Sequence, residues 1–217
     1  MRGSLSSFNM QTTAMVLRTV YWLITQRAFA QEDILVTGPH AAQVSLLKAM
    51  VSPTYPGVRV YTVDASQEEE MIQVVNCVRL GGANPPESMG FLGGERRRFN
   101  VGFSRGMASR IVICHKDFVK SKATSNSPWQ AYIEEAVAKH WVLPDSFYHG
   151  PMPEKVKSDS QAAKTDFLRR AGFAKGGQPT QPAGLATVVG STVRNPGILT
   201  KQKSERSARA GSALSGG

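Results

Sequence analysis

Four arginines, Arg96, Arg97, Arg98 and Arg105, are the side chains of this sequence that are best suited to chemistry. A guanidinium group is a planar and permanently charged fork that can bind two phosphate oxygens at once. A helix over 96–107 would hold Arg98 and Arg105 about two turns apart on one side. The pattern therefore predicts a phosphate site. The alternative is a solvated basic face, which is the commoner role of charge clusters.

A second polar block lies upstream, in the run VRVYTVDASQEEEMIQVV over 58–75. Its apolar ends predict two strands, and the polar loop between them carries Gln67 and Glu70. The local alternative for the acidic run is the exposed first turn of a helix, because acidic side chains suit helix N-termini.

A third block, ILVTGPHAAQVSLL over 34–47, predicts a strand, a turn at Gly38 and Pro39, and a helix. Its polar side chains are few. His40 can stack on a base, although a lone histidine more often has a structural role.

Strands alternate with helices along the chain, which predicts an α/β fold with a parallel sheet covered on both faces. Ligands of such sheets bind beyond the carboxyl ends of the strands, so we expect the phosphate-facing loops at one edge. The predicted elements are a helix over 10–28, a strand over 34–37, a helix that carries Val44, Leu47 and 49–51, strands over 58–63 and 74–78, a helix over 96–107, a strand over 111–114 and a helix over 128–140.

The length of 217 residues and the net charge of +10 indicate one domain with a polyanionic partner. The segment 151–217 has 11 lysines and arginines against 4 acidic residues, and is rich in small and polar residues. We expect a folded domain over 1–150 and a mostly disordered basic tail over 151–217, with a short helix near 162–171.

The N-terminal run MVLRTVYWLI, with Ala28 and Ala30 after it, has two interpretations. Apolar positions at spacings of three and four predict an amphipathic helix on the core, whereas the apolar run before A-x-A also resembles a secretory signal. No apolar stretch is long enough for a membrane span, and we expect a cytoplasmic or nuclear protein. Cys77 and Cys114 lie in apolar runs without metal-ligand spacing, which predicts buried reduced thiols and no metal site.

Together the three blocks resemble the second, C-terminal motor domain of superfamily 1 helicases. The likeness covers roughly 7–145, and the most similar subgroup contains the nonsense-mediated-decay RNA helicase. The resemblance implies a three-layer, RecA-like fold of the P-loop NTPase type. Similar helicases carry a run like RRxNVAxSRA where this chain has RRFNVGFSRG. Their last arginine is a finger on the terminal phosphate, which implies a catalytic role for Arg105 and a nucleotide contact for Arg98.

The other two blocks carry further implied contacts. VDASQEEE resembles VDxxQGxE, which implies that Gln67 and Glu70 bind the nucleotide, with Glu68 in place of a glycine. The third block resembles a strand that ends in TPYxxQ, where Pro39 and Gln43 match. The resemblance implies nucleic-acid contacts by Pro39, His40, Thr62 and Arg79.

The implied cofactor is ATP with Mg²⁺, whose metal ligands belong to the first motor domain in similar helicases. Neither a G-x-x-x-x-G-K-[ST] loop nor an apolar strand ending in Asp-Glu occurs in these 217 residues. We therefore expect no hydrolysis by this polypeptide alone, and a separate chain or domain that supplies the other half. The expected partner is single-stranded RNA or DNA. The alternative is a noncatalytic nucleic-acid-binding or adaptor protein whose basic tail supplies the affinity.

Overall fold

The computed structural model describes residues 8–66, 71–76, 96–115, 119, 121, 127–144, 146–170 and 187–190. The helices are α1 (Met10–Thr25), α2 (Ala41–Val51), α3 (Arg96–Ser104), α4 (Pro128–Ala138), α5 (Ser146–His149) and α6 (Glu154–Arg170). The strands are β1 (Ile34–Gly38), β2 (Arg59–Thr62), β3 (Met71–Asn76), β4 (Gly106–Cys114) and β5 (Thr187–Gly190). Short 3-10 turns cover Gln31–Asp33 and Asp64–Ser66.

The five strands form one sheet in the order β2-β1-β3-β4-β5. The first four are parallel to one another, and β5 pairs with β4 in the antiparallel direction. The predicted α/β fold with a mainly parallel sheet is therefore confirmed. The antiparallel strand, which comes from the segment expected to be a tail, was not predicted.

One face of the sheet packs against α1 and α2, and α6 packs on α2. The register sets Val60, Val36, Val74 and Ile111 side by side across four strands, and all four belong to the core cluster on this face. These apolar side chains recur at every second residue of a strand, because successive side chains point to opposite faces.

The opposite face packs against α3 and α4. Val112 and Cys114 of β4 alternate along the strand with Ile111 and Ile113, which belong to the cluster on the other face, here called the first core. Val112 and Cys114 form a second cluster with Trp129 and Ile133 of α4. Phe99 of α3 meets the Trp129 ring edge-on, with 5.3 Å between the centroids. The sheet between two helical layers confirms the three-layer architecture.

Helix α1 ends three residues before the predicted boundary. Ala28 has a left-handed φ of 54°, and the Phe29 N–H donates to the carbonyl of Leu23 over 3.1 Å. A left-handed residue commonly ends a helix, and here it lies two residues beyond the C-cap, Gln26. Val16 and Val20 of α1 are fully buried in the first core, which supports the amphipathic-helix interpretation of the N-terminal run over the secretory signal.

The folded unit extends past the predicted boundary at residue 150. Helix α6 is much longer than the short helix expected near 162–171, packs along α2 and buries Val156 in the first core. Arg18 of α1 donates to the carbonyl of Gly150, and the Phe8 and Phe167 rings meet edge-on at 5.4 Å. The expectation of a tail that starts at 151 is thus wrong for 151–170, because long-range packing orders this polar helix. For 171–186 and 191–217, which lie outside the described residues, disorder stays a prediction.

Two element boundaries near Arg105 also differ from the prediction. Helix α3 ends at Ser104 rather than near 107, and β4 begins at Gly106 rather than at Ile111. Cys114 is buried, as predicted, whereas Cys77 lies outside the described residues.

Candidate functional site

Arg105 lies at the junction between α3 and β4. Its Nε donates to the carbonyl of Val101, four residues earlier, over 3.3 Å, so the side chain caps the last turn of α3. A cation suits this place, because the carbonyl end of a helix carries partial negative charge. The carbonyl of Arg105 accepts a 2.9 Å hydrogen bond from the amide of Met71, the first residue of β3. Arg105, which is half-buried, is thus held at both its main chain and its side chain.

Gly106 is required by the backbone that follows Arg105. A Cβ at this position would lie 2.5 Å from the carbonyl oxygen of Ser109. The close approach arises from an irregularity in the strand pairing, since Met71 pairs with Gly106 but Gln73 pairs with Arg110. β4 therefore carries a bulge of two residues, and bulges commonly occur beside functional sites.

Helix α3 also contacts the second polar block, directly after its first strand. A Cβ on Gly102 would lie 3.5 Å from Cγ1 of Val63, and α3 packs on the turn Asp64–Ser66. The structure thus brings the arginine block next to the described part of the block predicted to bind nucleotide. Gln67 and Glu70 lie outside the described residues. Arg98 is in α3, but its side chain also lies outside them.

The predicted nucleic-acid residues Pro39, His40 and Thr62 meet at the carboxyl ends of β1 and β2. Gly38 and Thr62 are Cα partners in the sheet, and the hydroxyl of Thr62 accepts from the amide of Ala65 over 3.2 Å. His40 is half-buried and precedes α2 in an extended conformation, without a side-chain cap on the helix. Arg79, the fourth predicted contact, lies outside the described residues.

These two groups of residues lie at opposite edges of the sheet. Arg105 precedes β4 and bonds the start of β3, whereas Pro39 and Thr62 lie where β1 and β2 end. Because the four strands are parallel, the expectation of one common edge is wrong. The physical reason is the order along the chain, because Arg105 directly precedes its strand, whereas Pro39 and Thr62 lie where their strands end.

A family model described as an AAA domain matches residues 1–117, which is more than half of the chain. The chain belongs to this AAA domain family. The match confirms the helicase-like, P-loop type of domain at the coarse level. No curated protein matches the sequence.

The matched part of the AAA domain holds every residue for which the sequence predicted a contact. It also includes Gln43, the matched glutamine of the third block, which proves to be structural. Gln43 is fully buried, its Oε1 accepts from the amide of Asn9 and its Nε2 donates to the Thr13 hydroxyl, each over 2.6 Å. It therefore ties the start of α2 to the start of α1.

Sequence reasoning missed a polar pair between the AAA domain and the helix that follows it. The Arg110 guanidinium lies 5.6 Å from the ring centroid of Tyr132, between β4 and α4. Burial raises the pKa of the Tyr132 hydroxyl to about 12, while the charge of Arg110 acts in the opposite direction. The signal that could have found this pair is a lone arginine in the otherwise apolar end of β4.

The described residues of the AAA domain contain no group of three or more histidine, cysteine or acidic side chains that could hold a metal ion. Among the same residues, no helix has both the length and the apolar character that a membrane crossing requires.

Proposed function

We propose that this AAA domain is the C-terminal motor domain of a superfamily 1 helicase of the nonsense-mediated-decay type. Arg105 contacts the terminal phosphate of ATP, and the carboxyl edge of the sheet contacts single-stranded RNA or DNA. Another domain or chain supplies the phosphate loop and the ligands of Mg²⁺, and the protein works in the cytoplasm or nucleus.

The observation that carries this proposal is the double attachment of Arg105. A cation that stabilises developing phosphate charge is effective when it is fixed before the reaction. The main-chain bond from Met71 and the side-chain bond to Val101 provide such fixation. The bound nucleotide would supply the phosphoryl group, and this chain would supply a positioned positive charge.

Separate edges for the two ligands fit a motor domain. ATP at the amino ends of β3 and β4 and nucleic acid at the carboxyl ends of β1 and β2 can be bound at the same time. The sheet, whose strand β1 is buried along its whole length, connects them.

The test of the nucleotide site measures binding of fluorescent ATP with Mg²⁺ to the full chain. Arg105→Ala should weaken binding by about tenfold or more, because a charge-assisted hydrogen bond is lost. The ATP affinity of Arg105→Lys should lie between those of wild type and Arg105→Ala, since lysine keeps the charge but not the planar fork. Arg169→Ala, on the exposed surface of α6, is the matched control. Equal affinity of wild type and Arg105→Ala would refute the role of Arg105.

The proposal also predicts negligible ATP turnover by this polypeptide alone. A turnover that Arg105→Ala abolishes would show that the chain carries a complete catalytic site, and the division of labour between two domains would then be wrong.

The test of the nucleic-acid edge uses single-stranded RNA. His40→Ala should weaken binding several-fold through lost stacking, without changing the slope of log K against log salt. A changed slope with unchanged affinity at low salt would contradict a stacking role. Ser45→Ala, an exposed position of α2, is the control.

A second candidate function is a noncatalytic nucleic-acid-binding or adaptor protein, and the basic charge beyond residue 150 favours it. Because 151–170 belong to the folded unit, the informative deletion is 191–217, which removes 5 lysines and arginines and 1 glutamate. If this segment supplies the affinity, the deletion lowers RNA affinity and flattens the salt dependence. Undiminished binding with a steep salt dependence excludes the tail model. Absence of ATP binding by the wild type would favour the noncatalytic function.

A further inference from the structure

Without β5, the two edge strands of the sheet would differ in length. The edge at β2 consists of four residues, and a short edge strand offers few backbone groups to another chain. β4 is nine residues long, so without β5 it would be the long edge of the parallel sheet.

The first half of β4 is protected by its own irregularity. The bulge between Gly106 and Arg110 breaks the regular spacing of hydrogen-bonding groups, and bulges are a common defence of exposed edges.

The second half of β4, Ile111–Cys114, is regular, and all four of its residues are buried. Three of them are β-branched, and a short apolar run of this kind is prone to pair with other strands. β5 pairs with these four residues, from Ile111 with Gly190 to Cys114 with Thr187. The regular part of the edge and the part covered by β5 therefore coincide.

We propose that β5 is an intramolecular edge cap, and that the partner it excludes is the β4 edge of a second copy of this chain. Sixteen residues separate the end of α6 from β5. The cap therefore comes from a part of the chain that lies beyond the matched AAA domain. A second copy fits because two β4 strands around a two-fold axis offer each other the same regular apolar run.

The experiment compares the full chain with its double variant Val188→Pro and Val189→Pro by sedimentation velocity over a range of protein concentrations. Proline removes the amide that a ladder hydrogen bond needs. The wild type should remain a monomer, and the double variant should form dimers in a concentration-dependent manner. Val188→Thr with Val189→Thr, which keeps the amides, is the matched control and should remain monomeric. A folded proline variant that stays monomeric throughout, or a wild type that is already dimeric, overturns the proposal.

A crosslink decides the case if the proline variant does not fold. Thr187 lies opposite the native Cys114, and the Cα spacing of antiparallel partners suits a disulfide. Thr187→Cys, made in a Cys77→Ser background, should oxidise within one chain. The oxidised form should also self-associate more slowly than the reduced form just below the unfolding temperature. A crosslink formed only between chains, or equal rates of association, overturns the proposal.

Discussion

The amide of Met71 donates a 2.9 Å hydrogen bond to the carbonyl of Arg105, and so joins the first residue of β3 to the residue that enters β4. The position of the arginine therefore depends on strand pairing rather than on α3 alone. Its neighbour Gly106 makes this pairing possible, because a Cβ there would lie 2.5 Å from the carbonyl oxygen of Ser109.

Two glycines of α3 and β4 stand where similar helicases carry alanine, and we expect opposite results when alanine is restored. Gly106→Ala places a Cβ 2.5 Å from the Ser109 carbonyl oxygen, and should lower the free energy of unfolding by about 1–3 kcal/mol. Gly102→Ala gains an ordinary contact with Val63 at 3.5 Å, and should raise it by up to about 1 kcal/mol. Urea denaturation of both variants measures the difference. An equal effect of the two substitutions would contradict the bulge at Gly106.

The buried amide of Gln43 provides a second test of the fold. Gln43→Ala leaves the Asn9 amide and the Thr13 hydroxyl without this partner, which should cost about 1–3 kcal/mol of stability. Gln130→Ala is the matched control, because the side-chain amide of Gln130 donates to the exposed carboxylate of Glu134, and should change stability by less than about 0.5 kcal/mol. Stability is measured by denaturant unfolding, and similar values for the two would mean that Gln43 has no structural role.

The sequence predicted the central sheet well, because its strands carry strong local signals. β1 begins with the apolar run 34–36, the second half of β4 is an uninterrupted apolar run, and the change from strand to helix at Pro39 is marked by the turn residues themselves. Boundaries at Ala28 and Arg105 could not be predicted, since they depend on a left-handed residue and on strand register.

Long-range packing explains what the sequence did not reveal. Val156 is the one fully apolar anchor of α6 that is buried among the described residues, and composition alone marks this helix as tail. Its partners, α1 and α2, lie more than a hundred residues earlier. The placement of Arg105 and Thr62 at opposite edges likewise follows from the direction of the strands, which no local pattern reports.

The docking of α6 can be tested at Val156. Val156→Ala removes two buried methyl groups from the first core, and should lower the free energy of unfolding by about 1–2 kcal/mol. Ser158→Ala, at an exposed position of the same helix, should have an effect below about 0.5 kcal/mol. If thermal unfolding gives the same midpoint for Val156→Ala and wild type, α6 does not contribute to the core.

Tyr132 should make the stability of the protein depend on pH in the alkaline range. Burial raises the pKa of its hydroxyl to about 12, from an ordinary value of 10.0. The neutral form is therefore favoured in the folded state, and its contribution is fully present below about pH 10 and is lost as the pH rises towards 12. The nearby charge of Arg110 opposes this shift, whereas Cys114 and Glu135 add to it. Unfolding of wild type and Tyr132→Phe between pH 9 and 12 measures the effect. The wild type should lose on the order of 2 kcal/mol more than Tyr132→Phe over this range. The absorbance change of tyrosinate should show one late-titrating group that Tyr132→Phe lacks. Parallel stability curves for the two proteins would mean that Tyr132 ionises as freely in the folded chain as in water.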